Sequence, residues 1–138
     1  MSVFPLHLGF MLAACVAMVA AMLVARFCKA RAWWLKVHRA LNLASVTFLA
    51  IGLAMAVALV GTEGTHAVGF PHRLLGFLSI AIGLAMVALG FSIFRLKGRG
   101  ADVIAGRKRL HRWLGRVEIV LIITTTVAGF VTAGWIGY

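Results

Sequence analysis

Three features of this 138-residue chain predict an all-α integral-membrane protein folded as an up-down four-helix transmembrane bundle. The residues are 63% hydrophobic and only 12% charged, with a mean hydropathy of +1.04, so lipid rather than water is the expected solvent. Four apolar stretches are each long enough to cross a hydrocarbon core, which needs roughly 20 helical residues. The links between them are short, which favours antiparallel neighbours. Transmembrane barrel strands, about 9–11 alternating residues long, do not suit such stretches.

The first helix is expected over about Leu6–Phe27. Its apolar run starts almost at once, yet it lacks the basic leader of a signal peptide and has full spanning length, so it is read as the first helix of the mature protein. Cys15 and Cys28 sit 13 residues apart on it. That is about 20 Å along the axis, too far for a disulfide. A short connection from Cys28 to Lys36 carries Trp33 and Trp34, which suit a membrane interface. The second helix, about Val37–Val60, runs into a glycine-rich loop from Gly61 to Phe70. Pro71 opens the third helix, about Pro71–Phe94, because a missing N–H does no harm in a first turn. Gly98 and Gly100 follow its end, and the fourth helix is expected over about Leu110–Gly137. Little remains outside these segments, so residues 1–138 read as one domain. No dinucleotide fingerprint and no P-loop are present.

The net charge of +11 is unevenly placed. Arg26, Lys29, Arg31, Lys36 and Arg39 flank the first connection, and Arg95, Lys97, Arg99, Arg107, Lys108, Arg109, Arg112 and Arg116 flank the third. The second has only Arg73. The positive-inside rule therefore puts the first and third connections in the cytoplasm and both termini outside it. Attraction to anionic headgroups accounts for this charge, and the lipid bilayer rather than nucleic acid is the expected partner.

Within this frame one motif is written twice. His72-Arg73-Leu74-Leu75-Gly76 and His111-Arg112-Trp113-Leu114-Gly115 each open an apolar helix, and Gly90 and Gly129 follow 18 residues after their respective histidines. At about 100° per residue such a spacing returns to the same azimuth, so each helix carries histidine and glycine at opposite ends of one stripe. Gly76, Gly83 and Gly90 continue it at heptad spacing. Small residues in a membrane helix also serve close packing, and both readings of these glycines stand.

Two further histidines complete a pattern. His7 falls at the outer end of helix 1, His38 at the inner end of helix 2, His72 at the outer end of helix 3 and His111 at the inner end of helix 4. In an up-down bundle helices 1 and 3 are diagonal, as are 2 and 4, so the pairs His7/His72 and His38/His111 face each other across the core. A histidine near a helix end is also at home among headgroups. Four at alternating ends, two in a repeated motif, point instead to a large flat ligand gripped by imidazoles: haem, with one imidazole on each axial face. No Cys-x-x-Cys-His is present, which excludes covalent attachment. The expected cofactors are two non-covalent b haems, one per pair, with His7, His38, His72 and His111 as iron ligands and Gly76, Gly90, Gly115 and Gly129 beside the rings.

This constellation resembles the eukaryote-type cytochrome b561 family. The resemblance rests on Lys36-Val37-His38 opening helix 2, His72-Arg73-Leu74-Leu75-Gly76 opening helix 3, and His111 with Gly115 and Gly129 on helix 4; His7 joins it from helix 1. It covers nearly the whole chain and implies transmembrane electron transfer through two b haems, from a cytoplasmic reductant such as ascorbate to an outer acceptor. The family usually carries one more helix at each end of this core. A homodimer or a partner subunit is therefore expected along the flanks. The alternative expectation is a haem-bearing anchor subunit of a larger respiratory or photosynthetic complex, handling quinol.

Six other residues are candidates for substrate or proton handling. Lys36, Arg39, Arg109 and Arg112 form an inner basic group suited to an anionic donor or haem propionates, or else to lipid. His66 lies six residues before His72 in the outer loop, where it is placed to meet a substrate, relay a proton or merely face solvent. Glu118 lies seven residues after His111, nearly on the same face. Buried there, it either pairs with Arg116 or another base, or carries a proton linked to haem reduction.

Overall fold

The computed structural model describes residues 4–63, 69–96, 98, 100–132 and 134, with side chains omitted for 59–63. His66 lies outside the described residues. The chain forms four helices, α1 (Phe4–Phe27), α2 (Trp34–Glu63), α3 (Phe70–Arg95) and α4 (Ala101–Thr132), and no strand among the described residues. All four are long and apolar enough to cross a membrane.

The helix limits differ from the expected ones chiefly in α4, which begins at Ala101 rather than Leu110 and is described as far as Thr132; Gly137 lies outside the described residues. Hydropathy marks where a helix enters lipid, not where it begins. Residues 101–109 are rich in Arg and Lys, good helix formers, and Asp102 in the first turn suits the positive end of the helix dipole. At 32 residues α4 spans about 48 Å, so its basic turns project beyond a hydrocarbon core of about 30 Å. Gly134, with φ 72°, takes the left-handed conformation just past its end, and Gly98, with φ 98°, does the same after α3. Pro71 sits in the first turn of α3, as expected.

α1 packs most extensively on α2, and α3 on α4; the two hairpins meet along α1–α4 and α2–α3. The helices thus follow one another around the bundle, with α1 opposite α3 and α2 opposite α4. Small residues on one face of α1 (Ala14, Ala17, Ala21) are buried against the rest of the bundle, and Ser45 Oγ of α2 donates to the Ala14 carbonyl at 2.9 Å. The apolar core is the cluster Ala14, Met18, Leu49, Met86 and Ile122, roughly halfway along the helices.

One register governs all four helices. Seven residues after each histidine come Ala14, Ser45, Ser79 and Glu118, and all four are fully buried. They form the central belt of the bundle, with one histidine pair beyond it on either side.

Candidate functional site

The four histidines meet in the pairs that the helix order requires. His7 of α1 faces His72 of α3 with ring centroids 6.2 Å apart and planes at 84°. His38 of α2 faces His111 of α4 at 6.2 Å and 82°. Each pair bridges the two hairpins at one end of the bundle. All four side chains are half-buried.

Backbone carbonyls hold the rings. His7 Nδ1 donates to the Gly52 carbonyl at 2.8 Å, His38 Nδ1 to Ala21 at 2.9 Å, and His72 Nδ1 to Thr125 at 3.1 Å. His111 Nδ1 is buried, and its interaction with the Met86 carbonyl falls short of hydrogen-bond geometry. In every case the carbonyl belongs to the hairpin partner and lies 14 residues after that partner's own histidine. Donation from Nδ1 fixes the tautomer that leaves a lone pair on Nε2, the nitrogen available for a metal. Fourteen residues of helix rise about 21 Å, which sets the spacing of the two pairs along the bundle axis at roughly 20 Å.

Two of the four candidate glycines stand beside an imidazole. A Cβ on Gly129 would lie 2.9 Å from His72 Cε1, and one on Gly90 would lie 3.5 Å from His111 Cε1. Each admits the imidazole of the neighbouring helix in its own hairpin. A Cβ on Gly115 would touch the Met86 side chain at 3.7 Å, whereas one on Gly76 would meet nothing within 4 Å.

Glu118 does not pair with Arg116. The arginine is exposed, while both carboxylate oxygens of Glu118 are buried without a hydrogen-bond partner. Arg39 is engaged as well: its guanidinium stacks over Phe91 and Phe94 of α3 at 4.8 and 4.9 Å from the ring centres. Lys36, Arg109 and Arg112 are exposed at the His38/His111 end.

Sequence reasoning missed Asn42, whose amide nitrogen lies 3.3–3.4 Å from both ring nitrogens of His38 while donating to the His38 carbonyl at 2.7 Å. Its signal was the i, i+4 spacing from His38. It also missed Ser79, buried with its hydroxyl unpartnered.

A profile of eukaryotic cytochrome b561 matches residues 4–137. The chain belongs to the cytochrome b561 family. No match was found among curated proteins or among solved structures. As a cytochrome b561, the protein is an integral-membrane carrier of electrons that works through b-type haem.

The donor set fits that group. Two imidazoles opposed across the bundle would hold a haem iron between them, and that group would supply one-electron redox chemistry. Both pairs offer such an opposed arrangement, with ring centroids 6.2 Å apart in each. In this cytochrome b561 each of the four imidazoles also turns its Nδ1 toward a helix carbonyl.

Proposed function

We propose that this cytochrome b561, acting as a single four-helix domain, holds two b haems, one between His7 and His72 and one between His38 and His111. It passes electrons across the membrane from a reductant at the His38/His111 end to an acceptor at the His7/His72 end. The observation that carries this reading is the twin spacing: two imidazole pairs at 6.2 Å, one at each end of the bundle. Bound haem supplies a one-electron Fe(III)/Fe(II) carrier at each end. The protein's own part is to hold the imidazoles opposed, to fix their tautomers through helix carbonyls, and to keep water from the core between them.

The basic residues support the direction. Arg26, Arg31, Lys36, Arg95, Arg109 and Arg112 gather at the His38/His111 end, and the positive-inside rule favours that end as the cytoplasmic one, with the start of α1 and the end of α4 on the other side. Exposed Lys36, Arg109 and Arg112 suit an anionic reductant such as ascorbate. The surrounding bilayer covers the large apolar side chains exposed on every helix, Val16, Val57, Phe77 and Trp113 among them.

Purified from haem-replete cells, the protein should be red, with two b haems per chain and two steps in a redox titration with ascorbate. A colourless preparation overturns the reading. Protein that leaves the membrane with further subunits, and takes electrons from quinol but not ascorbate, would make the chain an anchor subunit of a larger complex. A stable active homodimer would count against that.

A further inference from the structure

Between the two histidine pairs the central belt is unequal. In the α1–α2 hairpin the belt residues are Ala14 and Ser45, and the Ser45 hydroxyl is satisfied by the Ala14 carbonyl. In the α3–α4 hairpin the same two positions hold Ser79 and Glu118. Both are 0% exposed, and neither the Ser79 hydroxyl nor either Glu118 oxygen has a hydrogen-bond partner among the described residues. The carboxyl group is aimed at α3, where a Cβ on Gly83 would lie 3.7 Å from Glu118 Oε1. Ser79 is one turn from Gly83 on the same buried face. A buried carboxyl and a buried, unbonded hydroxyl thus lie on facing helices in the central belt at mid-membrane, where ionisable groups are costly and mark function.

Little else there can titrate. Along α1 the only such side chain between His7 and Arg26 is Cys15, half-buried beside the core. α2 has none between Arg39 and Glu63, and α3 has none between Arg73 and Arg95. On α4 Arg116 is exposed, and no other charged residue follows Glu118 as far as Thr132. Glu118 is the sole acid in the span between the pairs.

We propose that Glu118, with Ser79 on the facing helix, is a proton-holding site that compensates the charge of the two haem layers. The inference rests on the dihaem reading above. A ferric b haem core carries one positive charge, and its ferrous form carries none. With both cofactors oxidised, the Glu118 carboxylate stands between two positive layers, each about 10 Å away along the helix. As electrons arrive from the cytoplasmic reductant, that compensation is lost and the carboxylate takes a proton from water, forming an O–H bond. When electrons leave for the outer acceptor, the O–H bond breaks and the proton returns to water. One electron and one proton enter, and one of each leaves. Linkage requires the converse: where the reduced state binds more protons, raising the pH makes reduction harder.

The test uses the dihaem protein in lipid, compared with Glu118→Gln and Ser79→Ala. The wild-type midpoint potentials should fall as pH rises, each tenfold drop in proton concentration moving them by at most about 59 mV for one proton per electron. Glu118→Gln should keep both haems and flatten this dependence. In reduced-minus-oxidised infrared spectra the wild type should gain a protonated-carboxyl C=O band sensitive to deuterium. Glu118→Gln should lack that band, and Ser79→Ala should shift it. A wild type that gains no such band overturns the inference, whatever the variants do. So does a Glu118→Gln protein with unchanged slope and band, or a potential that follows sodium concentration instead of pH. In each case two haems in the spectrum show that the dihaem reading survives; loss of haem from the wild type would sink that reading instead.

Discussion

The His72 imidazole fills the space that a side chain at Gly129 would need, with His72 Cε1 only 2.9 Å from where a Cβ would stand. The obstacle is the far end of a side chain rather than backbone, so the fold has a cheap escape: the ring moves. That ring is held by the Thr125 carbonyl and opposed to His7, and moving it dissolves the pair. Gly129→Ala should therefore leave the helices assembled while the outer haem is lost and the inner one retained. Overpacking of this kind typically costs about 1–3 kcal/mol, and here the loss is expected in haem occupancy rather than in helix content. Haem-to-protein ratio beside circular dichroism reads both; full occupancy would show that the ring has room to spare.

Gly90 offers the contrast. A Cβ there meets His111 Cε1 at 3.5 Å, an ordinary contact. Gly90→Ala should keep both haems and gain up to about 1 kcal/mol, since alanine gives up less backbone freedom than glycine in a helix. Gly90→Leu has no such room and should lower inner-haem occupancy. An alanine variant that sheds the inner haem would make the gap at Gly90 tighter than its geometry indicates.

The histidines themselves should separate the two sites. His38→Ala or His111→Ala is expected to remove the inner haem and spare the outer; His7→Ala or His72→Ala should do the reverse. The pairs stand roughly 20 Å apart along the axis and share no hydrogen-bond partner, so their losses should be independent. Visible spectra of the reduced proteins decide it. Loss of both haems from any one variant would mean that the pairs form a single cooperative site.

Much of this was legible before the fold was known, because His72 and His111 open a repeated motif and glycine is conspicuous in an apolar helix. The same register runs through α1, but there its positions hold Met11, Ala14, Met18 and Ala21, which carry no signal against an apolar background, whereas in α2 they hold Asn42, Ser45, Leu49 and Gly52. The carbonyls that hold the imidazoles were illegible for a different reason: any residue supplies one, and only the crossing of two helices selects Gly52, Ala21 and Thr125. The start of α4 was misjudged because hydropathy reports lipid and not helix. Of the alternatives open for Glu118, pairing with Arg116 is ruled out by azimuth: Arg116 is two residues away, about 200° around the helix, and points outward.

Ser45 tests the seam of the first hairpin. Its hydroxyl is fully buried and donates to a carbonyl of the adjoining helix, so Ser45→Ala removes one hydrogen bond without stranding a donor. The Ala14 carbonyl still accepts within α1, and the net loss should be about 0.5–1.5 kcal/mol, at the lower end. Thermal unfolding in detergent should show a small drop with both haems kept. A large drop would mean that the hydroxyl also orders residues beyond Ala14.

Arg39 separates a structural tie from a substrate contact. Its guanidinium lies over Phe91 and Phe94, joining the start of α2 to the end of α3 along a lightly packed seam. At exposed positions such stacking is worth about 0.5–1 kcal/mol. Arg39→Ala should lower thermal stability by about that much, with Arg39→Lys in between because an ammonium keeps the charge but not the planar face. The KM for an anionic reductant should hardly change. Arg109→Ala and Arg112→Ala should do the opposite: those side chains are exposed, so stability should hold while KM rises, and the effect should fade as added salt screens the charge. If Arg39→Ala raised KM at unchanged stability and Arg39→Lys restored it, the arginine would be binding the donor, and the stacking over the two phenylalanines would be incidental.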